Sequence, residues 1–356
     1  MSKIHVATRK GLFTVENGAV AAAEFLGDNV SMILSDPRDG TLYAAFDHGH
    51  FGVKLKRRKK GAAWEDVATP AFPPKPEGAI GEWTLKKIWS LEPGGADRPG
   101  RLWAGTLPGA LFVSDDHGSS WRLVESLWKE RCKSADAWGG GGYDWPGIHS
   151  VVVDPRNSDH VLVAVSTAGV WRTKDAGKTW TQTANGMRAE YMPPELTRDP
   201  VSQDVHRMAL CAAAPDEMWV QHHNGVFKSV DAGANWTELE NTPVSRFGFA
   251  AAVHPKEKGT VWLVPAIKDE KRIPKDGAVV VNRTRDGGRT WETLRAGLPQ
   301  RHAYDLIYRH GLDVDASGKN LAFGSTTGGF WWSADGGDSW KALDARLPPV
   351  HAVRFA

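Results

Sequence analysis

Apolar residues along this chain fall in short runs of four to six, cut by glycine, aspartate and asparagine. Leu102–Thr106, Val161–Val165, Met218–Gln221, Val261–Val264 and Leu321–Ser325 are such runs. Each is followed by a second: Ala110–Val113, Gly169–Arg172, Gly225–Lys228, Val279–Arg283 and Gly329–Trp332. Runs this short, rich in β-branched and aromatic residues and bounded by turn formers, predict strands rather than helices. A third run lies further back, as at Ser150–Val153 and Ala250–Val253. After the second run comes a polar turn and then a tryptophan that starts another strand. Three strands, a turn and the tryptophan-led strand predict a four-stranded antiparallel unit.

The turn is nearly the same phrase five times, Ser/Thr-x-Asp-x-Gly-x-x-Trp. It carries Asp116, Asp175, Asp231, Asp286 and Asp335, with tryptophans at 121, 180, 236, 291 and 340, spaced 59, 56, 55 and 49 residues apart. A fixed period of this size marks one supersecondary unit repeated. The aspartate suits hydrogen bonds from backbone N–H groups two or three residues on, the glycine supplies positive φ, and the tryptophan packs on a neighbouring unit. The phrase resembles the Asp-box, or BNR repeat, of sialidases and related β-propellers, and the resemblance covers nearly the whole chain.

A decayed sixth copy, Lys59 to Trp64, keeps Gly61 and Trp64 but has no aspartate. A seventh unit is split. The N-terminus offers Ile4–Ala7, Gly11–Val15 and Val20–Glu24, and His351–Phe355 at the C-terminus has no unit of its own. The expectation is an all-β protein, a seven-bladed β-propeller of four-stranded antiparallel blades, closed by the C-terminal strand in the N-terminal blade. Closure removes exposed sheet edges. Six blades is the alternative, should the N-terminal strands pair differently. Residues 1–356 then form one domain, with blades at approximately 1–28 plus 350–356, 29–68, 85–126, 148–184, 205–242, 246–297 and 302–346.

Composition narrows the function. A net charge of +2 gives no whole-molecule attraction to nucleic acid, and the basic run Lys54 to Lys60 reads as a solvated hairpin. Cys132 and Cys211 imply no disulfide framework. No apolar run suffices for a membrane span, and strand residues begin at once at the N-terminus, which points to the cytoplasm.

In a propeller each blade's innermost strand starts on one face, and the turn between its second and third strands opens on that face. Asp-boxes lie at the other end, so the repeated phrase is not the active site. Glu82, Asp144, Trp145, His149, Asp204, His206, Arg207, Arg246, Arg301, His302 and Tyr304 lie before or at innermost strands, and His222 and His223 sit at such a turn. Long loops (65–88, 122–148 and 181–205) should wall one side of the channel mouth. One of them carries the glycine run 139–142, and another the odd segment Glu190 to Glu195.

His149, His206, Tyr304, Asp144 and Asp204 are candidate catalytic groups. Arg207, Arg246, Arg301, His302, Trp145, His222, His223 and Glu82 are candidate substrate-binding groups. No cofactor signature is present. The histidines read as general acid–base groups, as water-ordering channel residues, or as ligands of a divalent metal in the central channel, with His149, His206 and His223 the candidates.

The sialidase label fits poorly. Arg272-Ile273-Pro274 lies inside a late hairpin rather than ahead of the first blade, and no Tyr–Glu pair can be assigned. The chain is similar to uncharacterised bacterial BNR proteins carrying a sialidase or glycosyl-hydrolase label. Two functions are expected from this. The first is a hydrolase or lyase acting on a glycoside-like or anionic polar substrate at the channel mouth, with a small-molecule or carbohydrate substrate and neither nucleic acid nor membrane as partner. The second is a non-catalytic scaffold or assembly factor, like the propeller assembly factor of photosystem II, binding a protein partner.

Overall fold

A computed structural model of the chain describes residues 3–79, 81–133, 137–139 and 143–356. Three of the four glycines in 139–142 lie outside the described residues. Seven four-stranded antiparallel sheets are present, and they are the blades of a seven-bladed β-propeller. Six blades is thereby excluded. The C-terminal strand Val350–Phe355 heads the first sheet, paired from Ile4↔Phe355 to Thr8↔Val350. Each sheet follows chain order otherwise, so the first strand in its order is called the leading strand below.

Burial explains the strand composition. The leading strand Gly248–Val253 is buried throughout, as are Leu102–Leu107 and Val161–Val165, so these segments are apolar without alternation. The last strands are two residues long in four blades, at Arg122–Leu123, Thr181–Gln182, Thr237–Glu238 and Lys341–Ala342. Such short edges offer little template for pairing with another chain.

Contacts divide the described chain into two compact units. One holds residues 1–33, 206–232 and 236–356; its cores include Trp262, Val264, Val281, Phe323 and Trp340, and separately Ile4, Val6, Phe330 and Val353. The other holds residues 34–205 and 233–235, with Trp103, Leu111, Ile148, Val163 and Trp171 in its core. Its loop 122–148 is not wholly irregular. It contains the helix Glu125–Arg131, whose Leu127, Trp128 and Arg131 are buried, because these three fall on one face of the turn.

The repeated phrase folds alike from copy to copy, and around Asp231 too the Ser229 hydroxyl donates to Oδ1, at 2.8 Å. In the copy around Asp175, the Thr173 hydroxyl donates to Asp175 Oδ1 at 2.7 Å and accepts from the Gly177 N–H at 2.9 Å. Thr179 donates its N–H to Oδ1 at 2.9 Å and its hydroxyl to Oδ2 at 2.6 Å. Ser120, Thr290 and Ser339 do the same for Asp116, Asp286 and Asp335. Two details differ from expectation. The aspartate side chain reaches the N–H four residues on. The residue before the glycine is also left-handed, with φ 58° at His117 and Ala176 and 57° at Ala232. Two successive left-handed residues are needed to turn the chain inside the aspartate's reach. The tryptophan contact is as expected where Trp121 Nε1 donates to the Ala68 carbonyl of the preceding blade at 2.9 Å.

No helix among the described residues is long and apolar enough to cross a membrane.

Candidate functional site

Two polar–aromatic groups form at the ends of leading strands, one in each unit.

The first lies in residues 82–149. Glu82 Oε1 accepts the N–H of Trp83 at 2.9 Å and of Thr84 at 2.8 Å, and Oε2 lies 3.3 Å from Lys86 Nζ. Burial pulls this carboxyl upward, but the Thr84 donors and the Lys86 ammonium outweigh it and hold it at about 2. Lys86 Nζ in turn stands 5.6 Å from the Trp145 ring centre. Trp89 meets Tyr143 edge-on at 5.2 Å and His149 at 5.5 Å. His149 is buried, with Nδ1 3.1 Å from the Ser150 hydroxyl. Tyr143 and Asp144 are exposed and Trp145 is half-buried. Glu82 is thereby linked through Lys86 to Trp145, and the exposed Asp144 neighbours Tyr143 and Trp145 in the chain.

The second group sits at the leading strand Val205–Cys211 of the fifth blade. His206 is buried and its Nδ1 lies 2.6 Å from the Gly248 carbonyl. Its ring stacks on Phe249 at 4.2 Å and 15°, and meets His223 at 5.3 Å. Phe247 stands edge-on to both imidazoles at 5.7 Å. Asp204 precedes the strand, and its backbone N–H donates to the Tyr191 hydroxyl at 3.0 Å.

The remaining sequence candidates sit elsewhere. His222 turns into its own blade, where Nδ1 accepts the Asn224 N–H and the ring meets Phe227 at 5.2 Å. Arg246 is paired with Glu238 at 2.9 Å. Arg207 Nη1 and Arg354 Nη2 both lie 3.2 Å from His310 Nδ1. A guanidinium only donates, so that nitrogen carries the lone pair and Nε2 the proton. Nearby, Asp313 is pushed up by burial, against the Arg354 and Arg207 charges. Arg301, His302 and Tyr304 are exposed, Tyr304 by 58%. They lie ahead of the leading strand Leu312–Val314 rather than at its start. Their segment buries Ala303, Leu306 and Ile307, which gives it a strand-like apolar content without a ladder.

Sequence reasoning missed Phe247, Phe249, His310, Asp313 and Arg354. The first two read as ordinary core residues; their placement two apart at the start of a leading strand was the available signal. Tyr191 was signalled only by its odd loop.

Seven four-stranded blades and the repeated turn phrase define a BNR-repeat β-propeller. The model of the family Sortilin-Vps10 (sortilin, neurotensin receptor 3) matches residues 109–278. A probable oligoxyloglucan-reducing end-specific xyloglucanase of Neosartorya fischeri is 24% identical over 219 residues, covering 58% of this chain and 25% of that protein. Among solved structures, an ancestral GH74 enzyme aligns with a TM-score of 0.60 at 16% identity, over 85% of this chain and 36% of that one. YCF48 from Cyanidioschyzon merolae aligns with a TM-score of 0.57 at 12% identity, over 98% of this chain and 90% of that one. The chain therefore spans about a quarter of the length of the curated xyloglucanase it matches.

Proposed function

We propose that this protein is a glycoside hydrolase that takes a xyloglucan-type oligosaccharide across the Tyr143 and Trp145 surface. The observation that carries the reading is a pair of carboxylates at accessible aromatic rings, Glu82 linked through Lys86 to Trp145 and the exposed Asp144 beside Trp145 in the chain. Sugar rings stack their C–H faces on aromatic rings, and glycoside cleavage needs one carboxylate as base or nucleophile and one carboxyl as acid. Glu82, held ionised, takes the first role, and Asp144 the second. Lys86, 3.3 Å from Glu82 Oε2, orients Glu82. The likeness to a xyloglucanase supports the substrate class.

The test is incubation with xyloglucan oligosaccharides, with products read by mass spectrometry. Glu82→Gln and Asp144→Asn should each lower kcat at least about a hundredfold, and Tyr143→Ala should raise KM. Wild-type protein that leaves all such oligosaccharides intact, or variants as active as wild type, would sink the reading.

One observation favours a second reading. The YCF48 chain has nearly the extent of this one, covered to 90%, whereas the GH74 enzyme is covered to 36%. A non-catalytic scaffold would leave the aromatic surface for a protein partner. Stoichiometric capture of such a partner, abolished by Tyr143→Ala in a chain that cleaves no oligosaccharide, would decide for it.

A further inference from the structure

We infer that Arg207 and Arg354 form a binding site for one small oxyanion, a phosphate or carboxylate group. The site lies within one compact unit and stands apart from the hydrolysis reading, which uses other residues.

Three blades supply it. Arg207 extends from the leading strand Val205–Cys211, and Arg354 from the C-terminal strand Val350–Phe355. His310 precedes the leading strand Leu312–Val314; its carbonyl accepts the Val353 N–H at 2.8 Å, and it bridges Ala352 in parallel. Backbone pairing therefore fixes His310 beside the strand that carries Arg354. Arg207 Nη1 and Arg354 Nη2 then each reach His310 Nδ1 at 3.2 Å. Two nitrogens that share one acceptor can be no further apart than twice that distance, so the two guanidinium groups are neighbours.

Like charges this close repel unless negative charge stands with them. The acceptors that gather them do not supply it. The imidazole nitrogen is neutral because it accepts, and so is the Val353 carbonyl, which takes Arg354 Nη1 at 2.8 Å. Asp313 feels both cations, but one carboxyl offsets at most one of them, and burial pushes it toward its protonated form. Its Oδ2 accepts the Phe355 N–H at 2.9 Å. Arg309, next to His310, is buried with its guanidinium 5.1 Å from the Phe249 ring centre, and it brings a third positive charge to the same segment. Each guanidinium presents a rigid fork of N–H donors that matches the oxygens of carboxylate and phosphate. An oxyanion answers the excess charge and the fork geometry together. Arg207 and Arg354 are both half-buried, so a small ion reaches them, and partial burial strengthens its attraction.

The experiment uses full-length protein dialysed into a buffer free of phosphate and carboxylate. Sodium phosphate and sodium acetate are titrated calorimetrically at pH 7 against sodium chloride of equal ionic strength. One anion per chain is expected, with a Kd in the millimolar range or below, and the tighter of the two names the ligand class. Arg207→Gln and Arg354→Gln should each weaken binding at least about tenfold. Arg207→Lys and Arg354→Lys keep the charge but lose the fork, and should weaken it about threefold or more. Arg301→Gln, which removes an exposed arginine, should change nothing. Far-UV circular dichroism checks each fold, and the lysine variant decides wherever a glutamine variant unfolds. Binding of neither phosphate nor acetate beyond that of chloride overturns the inference, and so does wild-type affinity in the folded Arg207 and Arg354 variants.

Discussion

The repeated turn phrase makes a quantitative claim about charge. Asp175 accepts three hydrogen bonds, two from hydroxyls and one from an N–H. The Thr179 hydroxyl above all holds its carboxyl down at about 2, and the Thr290 N–H and hydroxyl do the same for Asp286. Asp116 and Asp335 are lowered too. A carboxyl depressed in the folded state adds stability above its unfolded pKa and loses it as pH falls through the folded value. Replacing Asp175 by Asn keeps its size and most of its contacts but removes the charge. Charged hydrogen bonds exceed neutral ones by about 1 kcal/mol or more, and partial exposure brings the net to about 1 kcal/mol per turn. Unfolding entropy of about 2.1 cal/mol/K per residue over 356 residues makes 1 kcal/mol about 1.3 °C in Tm. The triple variant Asp116→Asn, Asp175→Asn, Asp335→Asn changes three turns in three blades with no shared partner, so the effects should add to about 3 kcal/mol, or about 4 °C. Calorimetry of wild type and triple variant should show that gap at pH 7, narrowing below pH 4 and closing near pH 2. A gap of the same size at pH 2 and pH 7, or none at either, would refute the charge argument.

Three further outcomes follow from packing. Gly297 has φ 81°, and a Cβ there would collide with the Trp340 carbonyl oxygen, so Gly297→Ala should cost about 2–4 kcal/mol, read by urea unfolding. Deleting residues 350–356 strips Ile4–Thr8 of its partner and exposes a buried edge, so the truncated chain should aggregate where the full one stays monodisperse in light scattering. Phe249→Ala removes the ring stacked on His206 and should cost about 3–5 kcal/mol, measured as a loss of about 4–7 °C in Tm.

The blades were legible because the phrase repeats and its glycine and aspartate have local jobs. Even there one hydroxyl escaped notice. Ser120, Thr179, Thr290 and Ser339 stand immediately before the box tryptophan, where the pattern had been read as any residue, yet each donates twice to the aspartate. The fifth copy has Asn235 there, which masked the rule. The candidate groups were legible only as a face. Which histidines meet depends on ring contacts between His206, His223, Phe247 and Phe249, up to 43 residues apart, and no local pattern encodes them. Arg246 illustrates the ambiguity: its position suits an anion anchor, and its side chain is instead paired with Glu238.

The environment of Glu82 also limits how hydrolysis could run. A carboxyl held at about 2 by N–H donors and an ammonium cannot serve as a general acid near neutrality. The proton must then come from Asp144, which is exposed in the free protein. A general acid matters in proportion to how poor the leaving group is. Asp144→Asn should therefore lower kcat at least about a hundredfold on xyloglucan oligosaccharides and far less on an aryl glycoside, whose phenolate leaves without a proton. An equal loss on both substrates would mean that Asp144 does not protonate the leaving group, and it would lose that role.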